Sequence, residues 1–279
     1  MAEAEIVFLN GKFIPKEEAK VSFFEPGFLY GWGLFETMRA YNNKIVYFKQ
    51  HLQRIKDSSK LINIRFPYPL VKIKQIIKKT VEINGLQDSY VKLILSRAAK
   101  GANTLVVIKR YKPHSFKKYQ QGFRACISPF RQNEDSYFTK MKTANYLSYQ
   151  LSYLEAKKKG FDEAIILNNR GYITEGSRSN LFFVKNNELF TLALECGCLD
   201  GITRRVVFDI AKRCGIKINQ GAFTLPDLYA ADEAFLTNSL LGVMPLRSVE
   251  DNIIGKRKSE YKITNFLIRK YGLLLKNGI

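Results

Sequence analysis

Cysteine and histidine are scarce in this chain of 279 residues: four Cys, two His and a single Trp. Four cysteines in a chain of this length exclude a secreted disulfide framework. Cys126, Cys196, Cys198 and Cys214 form no CxxC pair, and only His51 and His114 could add to a metal site, so no metal is expected. Cys196-Gly-Cys198 is the one close pair, and it reads as buried or inert thiols. No run approaches the about 18 apolar residues of a membrane span, and the opening MAEAEIVFLNG has the charge pattern of no signal peptide. A cytoplasmic protein with no membrane partner is expected. Acidic residues are also few, 25 against 45 Lys and Arg, giving a net charge of +20. That balance favours anionic partners without choosing among them. The 46% hydrophobic and 25% charged content is that of a globular protein and excludes a disordered one.

The patterning predicts an α+β chain. Asn10-Gly11 joins Ile6–Leu9 to Lys12–Pro15, and Asn42-Asn43 joins Thr37–Tyr41 to Lys44–Phe48, both as hairpins. Helices are expected over 49–61 and 69–83, then strands at Val91–Ser96 and Thr104–Lys109. The basic segment 114–121 reads as a linker between a small domain, 1–113, and a larger one, 122–279. In the latter, a strand at Phe123–Ile127 and a helix near Tyr146–Lys159 precede two hairpins, Glu163–Leu167 with Tyr172–Thr174 and Leu181–Val184 with Glu188–Thr191. A helix over Thr203–Cys214, a strand at Ala234–Thr237 and a helix near Ser259–Leu275 follow.

Three features could carry chemistry. Gly201-Ile202-Thr203 opens a helix after a glycine-containing loop, which suits a phosphate and equally suits a plain Thr N-cap. Glu175-Gly176-Ser177 sets a carboxylate at a tight turn. Lys142, in MKTANYL, lies between an irregular stretch and an apolar helix. Their order resembles the class IV, fold-type IV pyridoxal-phosphate enzymes: branched-chain aminotransferases, D-amino-acid aminotransferases and 4-amino-4-deoxychorismate lyases. The resemblance runs through FLYGWGLFETMRAYNNKIVYFKQHLQRI (28–55), KTANYL (142–147), FDEAIILNNRGYITEGSRSNLFFV (161–184), CGCLDGITRRVV (196–207) and ADEAFLTNSLLGVMPL (231–246).

The resemblance implies pyridoxal 5′-phosphate as cofactor, a large C-terminal domain that carries the cofactor-linked lysine, and a homodimer. It makes Lys142 the lysine that joins the cofactor aldehyde and moves the substrate proton, with Glu175 facing the pyridine nitrogen. Arg54 clamps the 5′-phosphate together with Ile202, Thr203 and Ser239, Leu199 packs on the ring, and Tyr146 matches a cofactor-side tyrosine. Substrate contacts fall to Tyr30, Thr37, Arg39, Arg97, Lys100 and Arg178. The implied activity is ping-pong transfer of an amino group between a D-amino acid, or a branched-chain or other L-amino acid, and a 2-oxo acid. Phe35-Glu36-Thr37-Met38-Arg39 and Thr237-Asn238-Ser239-Leu240 resemble the lyase-like members, which keeps elimination to 4-aminobenzoate and pyruvate as the alternative. Trp32 replaces the Asp usual in YGDG, and the loop at 97–101 is shorter than is usual in this family. The basic charge leaves nucleic-acid binding as a remote alternative. With basic residues scattered and no recognition motif, no nucleic-acid partner is expected.

Overall fold

Asn10 (φ 48°) and Gly11 (φ 98°) reverse the chain between β1 (Ile6–Leu9) and β2 (Lys12–Pro15), the positive-φ pair that a two-residue hairpin demands. The computed structural model describes residues 5–42, 44–255 and 261–276, and the chain divides into two units. The first contains the described residues up to Lys112 together with Met141–Asn145. The second contains Pro113–Lys140 and the described residues from Tyr146 onward.

In the first unit β2 is followed by α1 (Pro26–Leu29), β3 (Gly33–Tyr41), β4 (Lys44–Ile45), α2 (Phe48–Leu61), α3 (Leu70–Ile83), β5 (Ser89–Arg97) and β6 (Ala102–Arg110). The strands form one antiparallel sheet in the order β2-β1-β6-β5-β3-β4. The 3.6-residue spacing of Leu52 and Ile55 on α2, and of Ile73, Ile76, Ile77 and Val81 on α3, puts these side chains into one core with Leu34, Met38 and Ala40. β3 alternates faces, so Phe35, Thr37 and Arg39 lie on the side away from that core. The expected strand Lys44–Phe48 stops at Ile45. Tyr47 turns left-handed (φ 51°) with its ring buried, and Phe48 already begins α2. Asn43, in the expected turn, lies outside the described residues.

Lys142 does not lie with the large C-terminal unit, as expected, but with the first. Backbone pairing is the reason: Phe35 N–H donates to the Lys142 carbonyl at 3.0 Å, Ala144 N–H to Gly33 at 2.8 Å, and Leu34 faces Thr143 as an antiparallel bridge. A single isolated bridge and two backbone hydrogen bonds thus hold residues 141–145 against the start of β3.

In the second unit the order is α4 (Phe116–Gln121), β7 (Phe123–Ile127), α5 (Leu147–Lys158), β8 (Glu163–Leu167), β9 (Ile173–Gly176), β10 (Asn180–Lys185), β11 (Glu188–Leu192), α6 (Ile202–Arg213), β12 (Ile218–Gly221), α7 (Leu225–Tyr229), β13 (Glu233–Asn238), β14 (Gly242–Val249), β15 (Asn252–Ile253) and α8 (Lys262–Lys276). The sheet runs β12-β11-β10-β13-β14-β7-β8-β9, with β15 paired to β14. Segment 114–121 is not a linker. Ser115 Oγ accepts the Lys118 N–H to start α4, Gly122 ends it at φ 72°, and Lys118 Nζ is ion-paired to Asp162 at 2.8 Å. The central strands are buried on both faces. Leu181, Phe183, Leu236 and Met244 join one core, while Phe182 stacks on Phe235 at 5.0 Å and meets Phe208 of α6 edge-on. The last expected helix begins at Lys262; Ser259 lies outside the described residues.

Candidate active site

In the first unit the chemistry gathers around a buried carboxylate. Glu36 occupies the core-facing phase of β3, between Leu34 and Met38, and is 1% exposed. A carboxylate there has to be paired. His51 and Arg54, three residues apart on α2 and so on one face, supply the partners. Arg54 donates from Nε to Glu36 Oε1 and from Nη2 to Oε2, each at 2.7 Å, and His51 Nδ1 donates to Oε2 at 2.7 Å. Burial pushes the Glu36 carboxyl up, but the charges of Arg54 and His51 and their hydrogen bonds outweigh it and bring it down to about 2. Burial also lowers His51, against the opposing pull of Glu36. The guanidinium is therefore fixed by its Nε–Nη2 edge. Lys142 extends over the ring of Phe35, its Nζ 4.6 Å from the centroid, and Lys92 lies at the same distance from that ring.

The face of β3 that carries Phe35 also holds Thr37, opposite Lys92, and Arg39, opposite Tyr90. The Arg39 guanidinium lies over Tyr41 (5.2 Å) and Tyr111 (4.8 Å), and its Nε is buried without a hydrogen-bond partner among the described residues. Other expected substrate residues stand elsewhere in this unit. Tyr30 ends α1 and is exposed, Lys100 is exposed in the turn between β5 and β6, and Arg97 lies over Trp32 while donating to the Asn63 carbonyl at 3.3 Å.

In the second unit Glu175, on β9, is buried and accepts hydrogen bonds on both oxygens. Tyr149 Oη donates to Oε1 at 3.0 Å, while Asn180 Nδ2 and the Leu199 N–H each donate to Oε2 at 3.1 Å. Asn180 also donates to the Leu199 carbonyl at 2.7 Å, tying Glu175 to the loop that leads into α6. A Cβ on Gly201 would lie 2.0 Å from Asn180 Oδ1, so this loop closes only around glycine. Gly201 is the N-cap of α6 and brings no side chain to cap it. Thr203 is therefore no N-cap: it sits within the first turn, buried, and its Oγ1 has no hydrogen-bond partner among the described residues. Ile202 is buried beside it at the first helical position.

Two turns brace this arrangement. Glu163, buried, accepts from Ser177 Oγ, from Ser179 Oγ at 2.9 Å and from the Arg178 N–H at 3.3 Å, which pins the turn after Glu175. Asn238 donates to the Arg178 carbonyl at 3.0 Å and accepts the N–H groups of Leu240 and Leu241, which sets the turn holding Ser239. Tyr146 stacks on Tyr149 at 4.7 Å and donates to the Ser177 carbonyl at 2.8 Å. Arg178 has partners on α5: its guanidinium lies 3.4 Å over Tyr153, and Nη2 donates to Gln150 at 2.8 Å. Cys196 and Cys198 are both buried, and burial raises both thiols, consistent with inert cysteines.

The sequence alone does not single out Glu36, His51, Lys92, Tyr149, Asn180 or Glu163. A signal exists for Glu36, the one charged residue in the apolar phase of β3; Lys92 leaves none, because it falls in the partly exposed phase of β5 between the buried Val91 and Leu93. Tyr149 and Asn180 emerge only from the closure of the loop at 199–201.

A match to the model of the amino-transferase class IV family covers residues 33–249. The chain belongs to this family. It is 34% identical over 275 residues, 95% of this chain and 94% of the other, to a Methanocaldococcus jannaschii protein named as a branched-chain-amino-acid aminotransferase. It is also 29% identical to the aminodeoxychorismate lyase of Bacillus subtilis, covering 98% and 96% of the two chains. A crystal structure of the T.th. branched-chain amino acid aminotransferase with pyridoxamine 5′-phosphate superposes with a TM-score of 0.92 at 29% identity, over 99% of this chain and 96% of that one. This class IV chain accordingly has the α+β, fold-type IV architecture that its motifs imply. Among the described residues no helix is long and apolar enough to cross a membrane.

Proposed function

We propose that this class IV protein is a pyridoxal-phosphate-dependent aminotransferase that moves an amino group between an amino acid and a 2-oxo acid in a ping-pong cycle. The observation that carries the reading is the loop at 199–201. It offers the buried carboxylate of Glu175 at one end and, at the other, a helix N-terminus with an orphaned buried hydroxyl on Thr203. A protonated ring nitrogen and a phosphate satisfy these two groups, so the residues present fit the cofactor. When bound, it supplies an electron-withdrawing ring that stabilises negative charge at the substrate α-carbon.

The chain's own residues do the rest. Lys142 Nζ would hold the cofactor aldehyde and would serve as the base that moves the substrate α-proton. The Glu175 charge keeps the proton on the ring nitrogen. Arg54, oriented by Glu36, binds the phosphate, with Thr203, the Ile202 N–H and Ser239 as further partners. Leu199 and Tyr146 would pack beside the ring. Arg39 is the first choice for a substrate carboxylate because its Nε is buried with no hydrogen-bond partner among the described residues; Thr37 and Lys92 share its face of the sheet. Tyr30, Arg97, Lys100 and Arg178 are secondary candidates, since Arg97 and Arg178 already have partners within their own units. A homodimer is part of the proposal. Phe23, Phe24, Phe28, Leu29 and Tyr30 are all more than half exposed, an apolar run that a second copy would cover.

The test is the visible spectrum of the cofactor-loaded protein on adding D-alanine, D-glutamate, L-leucine or L-glutamate singly, without an acceptor. Loss of the yellow band with one of them establishes the transaminase and its handedness. The Bacillus subtilis relative favours one second reading, so a yellow protein bleached by none, yet releasing pyruvate from aminodeoxychorismate, is a lyase. A protein that takes up no cofactor refutes both.

A further inference from the structure

We propose that Tyr149 is a positioning residue that acts through Glu175: its hydroxyl keeps the carboxylate a weak enough base that the proton it faces stays on the cofactor's ring nitrogen. The inference rests on the functional reading above and deepens it. The hydroxyl donates to Oε1 at 3.0 Å, while Asn180 and the Leu199 N–H take Oε2. The two carboxylate oxygens are thus served from opposite sides, and Tyr149 is the donor described on Oε1. Hydrogen bonds to an ionised group are about twice as strong as neutral ones, and each one lowers the basicity of the carboxylate. Burial and the Glu175 charge hold the Tyr149 phenol well above its ordinary value, so it remains a donor wherever the enzyme works. Its aim is fixed by the parallel stack on Tyr146, whose own hydroxyl is anchored on the Ser177 carbonyl.

A more basic Glu175 would draw the shared proton onto its own oxygen, leaving a neutral ring that withdraws electrons less well. The defect would fall on the chemical step and not on the holding of cofactor or substrate.

The experiment loads wild type and Tyr149→Phe with pyridoxal phosphate labelled with ¹⁵N at the ring nitrogen. It records the nitrogen chemical shift against pH, together with cofactor affinity and steady-state kinetics. The variant keeps both rings and their stack, and its unfolding temperature checks the fold. In the wild type the nitrogen signal should be that of the protonated ring and independent of pH. In Tyr149→Phe it should move toward the unprotonated value or begin to titrate. The expected kcat is about tenfold lower, equivalent to about 1.4 kcal/mol, while KM and cofactor affinity change less than threefold. Asn180→Ala removes another of the described donors and should move the nitrogen signal in the same direction, which provides the reading if the first variant fails to fold. Nitrogen signals and kcat that superimpose on the wild type overturn the role of Tyr149. A wild type that binds no pyridoxal phosphate overturns the functional reading instead.

Discussion

Replacing Glu36 by Gln removes the anion that faces both His51 and Arg54, and the side chain hardly changes in size. The carboxylate accepts three charge-assisted or N–H bonds at 2.7 Å; an amide has one acceptor oxygen and presents an NH₂ where at least one donor already points. The displacement of the carboxyl from 4.5 to about 2 corresponds to about 3 kcal/mol at about 1.4 kcal/mol per pH unit. That agrees with the about 3–5 kcal/mol typical of breaking a buried ion pair from one side. The folded-state value is depressed, so this stabilisation is complete above about pH 4.5 and is lost as pH falls through about 2. Calorimetry of the cofactor-free protein at neutral pH should therefore show unfolding about 6–12 °C lower in Glu36→Gln. The gap between variant and wild type should narrow as the buffer is taken below about pH 4. Titration with pyridoxal phosphate should show weaker binding as well, because Arg54 loses the edge that orients it. A variant that melts within about 2 °C of wild type at neutral pH, about the shift expected for 1 kcal/mol or less, would refute the view that Glu36 is bound as an anion.

Lys142→Ala should lower turnover by at least about 10³-fold while non-covalent cofactor binding persists, and a fully active variant would refute its role. Arg39→Ala should raise KM for the amino donor about ten- to a hundredfold with a smaller change in kcat, as expected for a lost charge-assisted carboxylate contact; an unchanged KM would pass that role to Lys92 or Arg178. Gly201→Ala places a methyl 2.0 Å from Asn180 Oδ1, so the loop must open. Cofactor affinity should fall more than about tenfold in an equilibrium titration, with a stability loss of about 1–3 kcal/mol.

Local signals in the sequence are enough for most elements. Asn-Gly at 10–11 and the period-3.6 apolar positions of α2, α3 and α6 lead directly to the observed hairpin and helices, because short-range geometry decides them. β14 is not legible in the same way. It carries Pro245 in mid-strand, which argues against a strand, and it is accommodated because antiparallel pairing to β13 is retained around it. β12 and β15 are too short and too polar for any pattern to register. The domain organisation departs from expectation at 114–121, which is built into α4, and at Lys142, for a physical reason. Lys142 lies far along the chain, but its backbone hydrogen bonds go to β3, and no sequence period reports a single long-range bridge. The residues recognised by motif stand partly on elements and partly in loops: Glu175 is on β9 and Thr203 in α6, whereas Leu199 and Ser239 lie outside any helix or strand. Of their supporting shell only Glu36 leaves a signal in the sequence; the meaning of His51, Tyr149 and Asn180 depends on side chains that meet only after folding.

That supporting shell assigns three buried glutamates three different tasks through the partners each receives. Glu36 is met by a guanidinium and an imidazole, so its charge is consumed locally and it serves to aim Arg54. Glu163 is met by hydroxyl and backbone N–H donors; burial raises it, and it works as a staple for the turn at 176–179. The donors described on Glu175 are neutral as well, but they are spread over both oxygens and anchored on a strand, a loop and a helix. A carboxylate held by neutral donors keeps its net charge while losing basicity, which is what a partner for a protonated ring nitrogen needs. The same side chain therefore serves as counter-ion, staple or electrostatic partner, and the choice lies in the neighbours.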